Sequence, residues 1–305
     1  MLPFPEFKLQ QPDRLADLIE LATEPDTRIV AGGTDLLPNL KHRIEAPRMV
    51  ISLGRITTLR GIEQTDDGLS IGATTTLSEI AQHPIIQSQY PALAEACRTV
   101  GTSTIQNMGT IGGNIMLNTR CLYVNQPQGW RTAIGGCLKC DGNVCHVAPK
   151  GSGCYAAHSA DTVPVLWLMG AKVQVVSSKG ERMVSIPEMY GDDGVTPTTL
   201  KRGEVLVSLH LPKPRGFVAH RKLRLRGSID YALLLCAVRR EGSGASAVLS
   251  AIGPQPIEVQ VDKASDLVEA AWSAAKPLST HLMASTWRKH MVRVEVRRAL
   301  EATTR

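Results

Sequence analysis

Aromatic side chains make up only 4% of the 305 residues, and just three are Phe, so aliphatic packing has to build the core. No apolar run approaches the roughly 20 residues that span a bilayer. The opening "MLPFPEFKLQQ" also lacks a basic start followed by an apolar stretch. The expectation is a cytoplasmic protein that does not engage a membrane. The net charge is +6, but basic residues crowd only at Arg288, Lys289, Arg293, Arg297 and Arg298. Without interleaved aromatics that crowd argues against nucleic-acid binding and for a solvated or partner-facing helix. There is no internal repeat and no low-complexity linker. The hydrophobic share of 43% and charged share of 20% are ordinary for a folded chain, and the length calls for two or three structural units.

The stretch "LADLIELAT" places Leu15, Leu18, Ile19 and Ala22 on one helical face,. The β-branched run "RIVAGG" suits a buried strand ending at Gly32-Gly33. "RMVISLG" reads as a strand, "GLSIGATTTLSEIAQH" as a strand passing into a helix capped near Thr76 or Ser78, and "PALAEACRTV" as helix. "DTVPVLWLMGAKVQVVSS" reads as helix then strand. From about residue 178 short β-like runs dominate ("EVLVSLHLP", "FVAHRKLRLRG", "ASAVLSAIG"), with a helix near "ALLLCAVRRE" and a helical tail whose apolar side includes Met291, Val294 and Leu300. A domain boundary is therefore expected near residue 178. Cys97 and Cys236 are expected to be packing residues inside helices.

Two segments have the composition of a diphosphate cradle, "AGGTDLL" at residues 31–37 and "TIGGN" at residues 110–114. Glycine lets backbone amides approach a phosphate, and Thr and Asn add neutral hydrogen bonds. Neither segment fits the GxGxxG dinucleotide fingerprint or a P-loop. Each alone is equally satisfied by a purely structural turn. Five of the seven cysteines fall between Cys121 and Cys154. In a reducing compartment such a cluster points to metal or redox chemistry rather than disulfides. Structural zinc, with Cys137, Cys140, Cys145 and His146 as donors, and an iron-sulfur cluster both remain open on composition.

In order, "AGGTDLLPNLK", "IGATTTLSEIAQ", "MGTIGGNI", "SADTVPVLWLMGA" and "KLRLRGSIDY" resemble the flavoprotein subunit of the molybdenum hydroxylase (xanthine dehydrogenase) family over nearly the whole chain. The resemblance implies an α+β fold: a PCMH-type FAD-binding region of two α/β subdomains, residues 1–54 and 55–177, and a C-terminal antiparallel-sheet and helix domain of the CO dehydrogenase flavoprotein type, residues 178–305. It implies FAD held by Ala31, Gly32, Gly33, Thr34, Asp35, Leu36, Leu37, Thr110, Gly112, Gly113 and Asn114. Asp161 would then bond ribityl or ribose hydroxyls, and Lys222 would lie near the isoalloxazine ring.

The spacing Cys121-x15-Cys137-x7-Cys145-x8-Cys154 resembles the added loop, here about residues 120–158, of 4-hydroxybenzoyl-CoA reductase β subunits. That implies a [4Fe-4S] cluster on these four thiols, with Cys140 a bordering residue and His146 and His158 either donors to the cluster's surroundings or exposed loop residues. The implied role is electron transfer in a heteromeric enzyme. Its partners would be a large molybdopterin-binding subunit, a small [2Fe-2S] subunit and a ferredoxin-type donor, assembled as a dimer of heterotrimers. No catalytic residue is expected in this chain. An aldehyde or N-heterocycle oxidoreductase subunit, a stand-alone oxidase of the vanillyl-alcohol type, and a zinc-stapled scaffold are the competing readings.

Overall fold

Short β-branched runs between polar turns give three sheets in the computed structural model, which describes residues 2–304. Strands β1 (Lys8–Gln10), β2 (Thr27–Val30) and β3 (Met49–Ser52) are parallel, in the order β1-β3-β2. The second sheet contains β4 (Ile62–Thr65), β5 (Gly68–Gly72), β6 (Lys172–Ser177), β7 (Gly180–Ser185) and β8 (Val205–Pro212). Its order is β4-β5-β8-β6-β7, and every neighbouring pair is antiparallel. The third sheet is antiparallel, in the order β12-β11-β10-β9, from β9 (Val218–Leu223), β10 (Leu234–Glu241), β11 (Gly244–Ser250) and β12 (Ile257–Val261).

Strand β8 binds the first two units together. Its Val205 and Val207 join Leu18, Ile51 and Leu53 in the first core, while Leu209 and Leu211 belong to the second. The second sheet therefore extends through β7 and β8, beyond the boundary expected near residue 178, and the third sheet begins at Val218. The helix Leu77–Gln82 starts at Thr76, which accepts from the Glu79 amide at 3.2 Å while the Glu79 carboxylate accepts from the Thr76 amide at 2.9 Å. Such a reciprocal cap satisfies two otherwise unpaired amides.

Two expectations fail for one physical reason, burial on both faces. "ALLLCAVRRE" is not a helix but mostly β10, placing Cys236 in a strand. Cys236 and Val238 face the third core, whereas Ala237 faces the second. A strand covered on both faces is apolar throughout, so periodicity cannot distinguish it from a buried helix. The tail helix Ser285–Ala302 buries Arg288, Val292, Glu295, Val296 and Ala299 rather than Met291 and Val294. Arg288 thus leaves the solvated basic crowd. Its Nε donates to the Leu233 carbonyl at 3.0 Å and its Nη1 to the Leu278 carbonyl at 2.9 Å. Cys97 is fully buried in helix Pro91–Thr99, where burial pushes its thiol pKa up. Among the described residues no helix is long and apolar enough to cross a membrane.

Two histidines are sealed in the interior. His158 bonds Ser250 Oγ through Nδ1 at 3.0 Å, and neither ring nitrogen of His220 has a partner. Burial lowers both pKa values to about 3, assisted at His220 by Lys222 and Arg221. Below pH about 6.5 the unfolded chain binds protons that the folded chain refuses. The contribution of these histidines to stability should therefore be level above neutrality and fall by about 2 kcal/mol per histidine between pH 7 and pH 5. Urea unfolding across that range checks this, and His220→Leu should flatten the profile.

Candidate functional site

The first glycine turn follows directly from the end of β2. A side chain at Gly32 is impossible, because a Cβ would lie 1.7 Å from the Met108 carbonyl oxygen; Gly33 has φ +72. Met108 ends the helix Ser103–Met108 and leads into the second turn. There a Cβ on Gly112 would come within 2.8 Å of the Ala73 carbonyl oxygen. Two stretches of bare backbone thus meet. Thr110 accepts from the Gly113 amide at 3.1 Å, and Asn114 Oδ1 accepts from the Thr162 hydroxyl at 2.7 Å.

Where the turns meet lies a cavity of about 730 Å³, within the ~300–1,000 Å³ range of cofactor sites. Ala31 to Leu36, Thr110, Gly112, Gly113, Asn114, Asp161 and Lys222 all line it. Leu37 does not; its Cδ1 would lie 2.9 Å from a Cβ on Gly33. Asp161 and Lys222, read from sequence as having separate roles, form an ion pair at 2.5 Å with side chains only 8% and 4% exposed. Lys222 also donates to the Thr99 carbonyl at 2.9 Å. Burial pushes the Asp161 carboxyl pKa up, while Lys222 and Arg224 pull against it.

Sequence reasoning missed two residues of this wall and one that pairs with it. Tyr190 and Tyr231 line the cavity, and Arg120 pairs with Asp35. Asp35 also accepts from Asn39 Nδ2 at 3.1 Å. No local pattern announces a pair so distant in sequence. Tyr231 is the last residue of the quoted "KLRLRGSIDY".

Residues 120–158 form a loop closed by paired backbone bonds between Arg120 and Ala157, at 2.7 and 2.6 Å. Cys121, Cys137, Cys145 and Cys154 are each 5–7% exposed. The Tyr123 amide donates to Cys121 Sγ at 3.5 Å. The backbone amides of Lys139 and Ala156 favour the thiolates of Cys137 and Cys154. Burial raises these thiols, Cys121 to about 11, while amide donors favour their thiolates,. Cys140 is turned elsewhere, its Sγ donating to the Arg43 and Ile44 carbonyls at 3.5 and 3.3 Å.

Arg131, fully buried, bonds Asp141 at 2.9 Å and donates to the His42 and Arg43 carbonyls. Lys139 Nζ donates to Asn118 Oδ1 at 2.8 Å and Thr119 Oγ1 at 2.7 Å, and burial lowers its pKa to about 8. Neither loop histidine is an exposed residue. His158 is sealed inside, and half-buried His146 bonds the Gly136 carbonyl at 2.6 Å. Among the described residues no group of three or more His, Cys, Asp or Glu is arranged to hold a metal ion.

Two abutting glycine turns, a cavity of this size and a buried ion pair in its wall define a cofactor-binding protein of the α+β class. Residues 5–214 match the family described as "FAD binding domain in molybdopterin dehydrogenase". The chain belongs to this family of FAD-binding subunits. It is 32% identical to the aldehyde oxidoreductase FAD-binding subunit PaoB of Escherichia coli K12, over 77% of this chain and 78% of that one. It is 25% identical to the glyceraldehyde dehydrogenase medium chain of Sulfolobus acidocaldarius, covering 97% and 98%. Among solved structures, a chain of reconstituted CO dehydrogenase from Oligotropha carboxidovorans superposes with TM-score 0.78 at 25% identity, covering 99% of both chains.

The contact at Gly32 makes a direct prediction. Gly32→Ala should lose bound flavin, because the Met108 carbonyl is backbone and has little room to yield,. Gly129→Ala, with nothing within 4 Å of its Cβ, should keep it. Flavin-to-protein absorbance after desalting measures both; full flavin retention in the Gly32 variant would refute the cradle assignment.

Proposed function

We propose that this chain is an electron-transfer subunit that binds FAD in the glycine-walled cavity and a [4Fe-4S] cluster on Cys121, Cys137, Cys145 and Cys154. The observation that carries the cluster reading is the burial of all four thiols, each 5–7% exposed, in one loop closed between Arg120 and Ala157, with the Tyr123 amide donating to Cys121 Sγ at 3.5 Å. Hydrogen bonds to sulfur are one of the means by which a protein sets a cluster's potential. The four thiols are each buried, and Cys121, Cys137 and Cys154 lie in a common apolar cluster with Val124 and Ala156. Cys140 is occupied by backbone carbonyls, which supports its assignment as a bordering residue.

When bound, FAD supplies exchange of electrons singly or in pairs, and the cluster supplies single-electron exchange. The residues of this chain hold and insulate. The glycine turns admit the diphosphate, and Asn114 fixes the second turn to the segment bearing Asp161. Asp161 and Lys222 present a paired charge to the cavity. Arg131 and Lys139 place positive charge near the thiols, favouring thiolate at Cys137 and Cys154 respectively. The partners would be a large molybdopterin subunit and a small [2Fe-2S] subunit in a dimer of heterotrimers.

Two readings of the partner's chemistry rest on separate observations. The cysteine spacing favours 4-hydroxybenzoyl-CoA reductase, with electrons arriving from a ferredoxin-type donor and leaving through FAD. The named aldehyde and glyceraldehyde relatives favour an aldehyde oxidoreductase running electrons outward. The copurified complex separates them: aldehyde-dependent dye reduction supports the second, and 4-hydroxybenzoyl-CoA-dependent oxidation of a reduced dye supports the first.

Iron and sulfide analysis with an absorption spectrum tests the subunit itself. The wild-type chain should carry one flavin and about four irons. Serine at Cys121, Cys137, Cys145 or Cys154 should lose the iron and retain the flavin, whereas Cys140→Ser should retain both. Zinc in place of iron, or iron loss confined to the Cys140 variant, would overturn the assignment.

A further inference from the structure

Arg120 stands immediately before Cys121, and its side chain leaves the cysteine loop. It pairs with Asp35, donates through Nη1 to Asn39 Oδ1 at 2.7 Å, and lies 5.7 Å from the Tyr231 ring centroid. Asp35 and Tyr231 both line the cavity. Asp35 and Asn39 flank and occupy the helix Leu36–Lys41, which follows the first glycine turn. At the far end of that helix Arg131, also from the loop, donates to the His42 and Arg43 carbonyls at 3.2 and 2.8 Å. The loop therefore grips one short helix at both ends.

The charge arrangement gives this grip a dependence on the cofactor. Asp35 puts a carboxylate in the wall where the diphosphate is expected, and two like charges repel there unless one is compensated. Arg120 is the compensating cation, with a side chain only 9% exposed. A diphosphate in the cradle would make that compensation more valuable and so favour the arrangement seen here, with Arg120 on Asp35 and the first thiol held beside it,.

We propose that Arg120 is a positioning residue that couples flavin occupancy of the glycine cradle to closure of the cysteine loop, through Asp35 and the helix Leu36–Lys41. The proposal rests on the FAD reading of the cavity and needs no metal in the loop. Coupling of this kind is reciprocal. A closed, loaded loop should tighten flavin binding by the factor with which flavin protects the loop.

Hydrogen exchange of the metal-free full-length chain, with and without saturating FAD, reads the coupling. In wild type, FAD should slow exchange of amides in residues 121–154 by about tenfold, a typical coupling between sites. In Arg120→Met, at FAD concentrations that still saturate the cradle, the slowing should fall below about twofold. Asp35→Asn, which removes the opposite charge and leaves Arg120 in place, guards against a folding defect and should show the same loss. Equal protection in wild type and both variants, or none in wild type with FAD bound, would overturn the proposal. Failure of wild type to bind FAD in a titration would instead strike the cavity reading beneath it.

Discussion

The closest constraint in the molecule is between two pieces of backbone: the α-carbon of Gly32 sits against the Met108 carbonyl so tightly that a Cβ would reach to 1.7 Å. Only glycine permits that approach, and it fixes the first parallel sheet relative to the antiparallel sheet that follows. Both turns line the cavity beside that contact. Asn114, bonded to Thr162, then fixes the Asp161 segment to the second turn, and Lys222 of the third sheet closes on Asp161. All three units contribute to one wall.

With few aromatics available, buried charges carry much of the specificity between units. Arg120, Arg131 and Arg288 are all buried, and each reaches atoms on a segment remote in sequence. Arg288 uses carbonyls, Arg131 uses carbonyls and one carboxylate, and Arg120 uses a carboxylate and amide oxygens. A guanidinium with several donors in a fixed plane suits this task, whereas a hydrophobic contact of the same area would tolerate sliding. Buried cations need such partners, since an unpaired one is strongly destabilising.

Sequence made the parts of the fold governed by local chemistry legible. The capping box at Thr76 and the alternation of β8 are examples, for each is written within a few adjacent residues. The glycine turns were visible as composition, and order along the chain gave them meaning. What escaped was set by tertiary contact. "LLCAV" became a strand because helix Val163–Leu168 covers one face of β10 and the tail helix covers the other. His158 was expected to be exposed or near a cluster, yet its loop end runs into the interior against Ser250 and Tyr190. The Arg120–Asp35 pair joins residues in different units, which no window along the sequence contains.

The location of the cysteine loop is itself an argument about its use. The loop leaves from the second glycine turn and returns at the Asp161 segment, and those two ends are already bonded to one another through Asn114 and Thr162. Arg120 and Ala157 pair just inside them. An insertion closed at its neck in this way adds little strain to the fold that carries it, because loop-closure entropy grows slowly with length. Its position is nevertheless specific: just outside the neck, Leu117, Asn118, Ser159 and Asp161 line the cavity. Cys121 and Cys154, the first and last thiols of the loop, therefore stand within a few residues of the cavity wall along the chain. Cys140 packs against the apolar cluster of Cys121, Cys137 and Cys154 while its Sγ donates to the Arg43 and Ile44 carbonyls, so the fifth thiol helps seat the loop on the first unit.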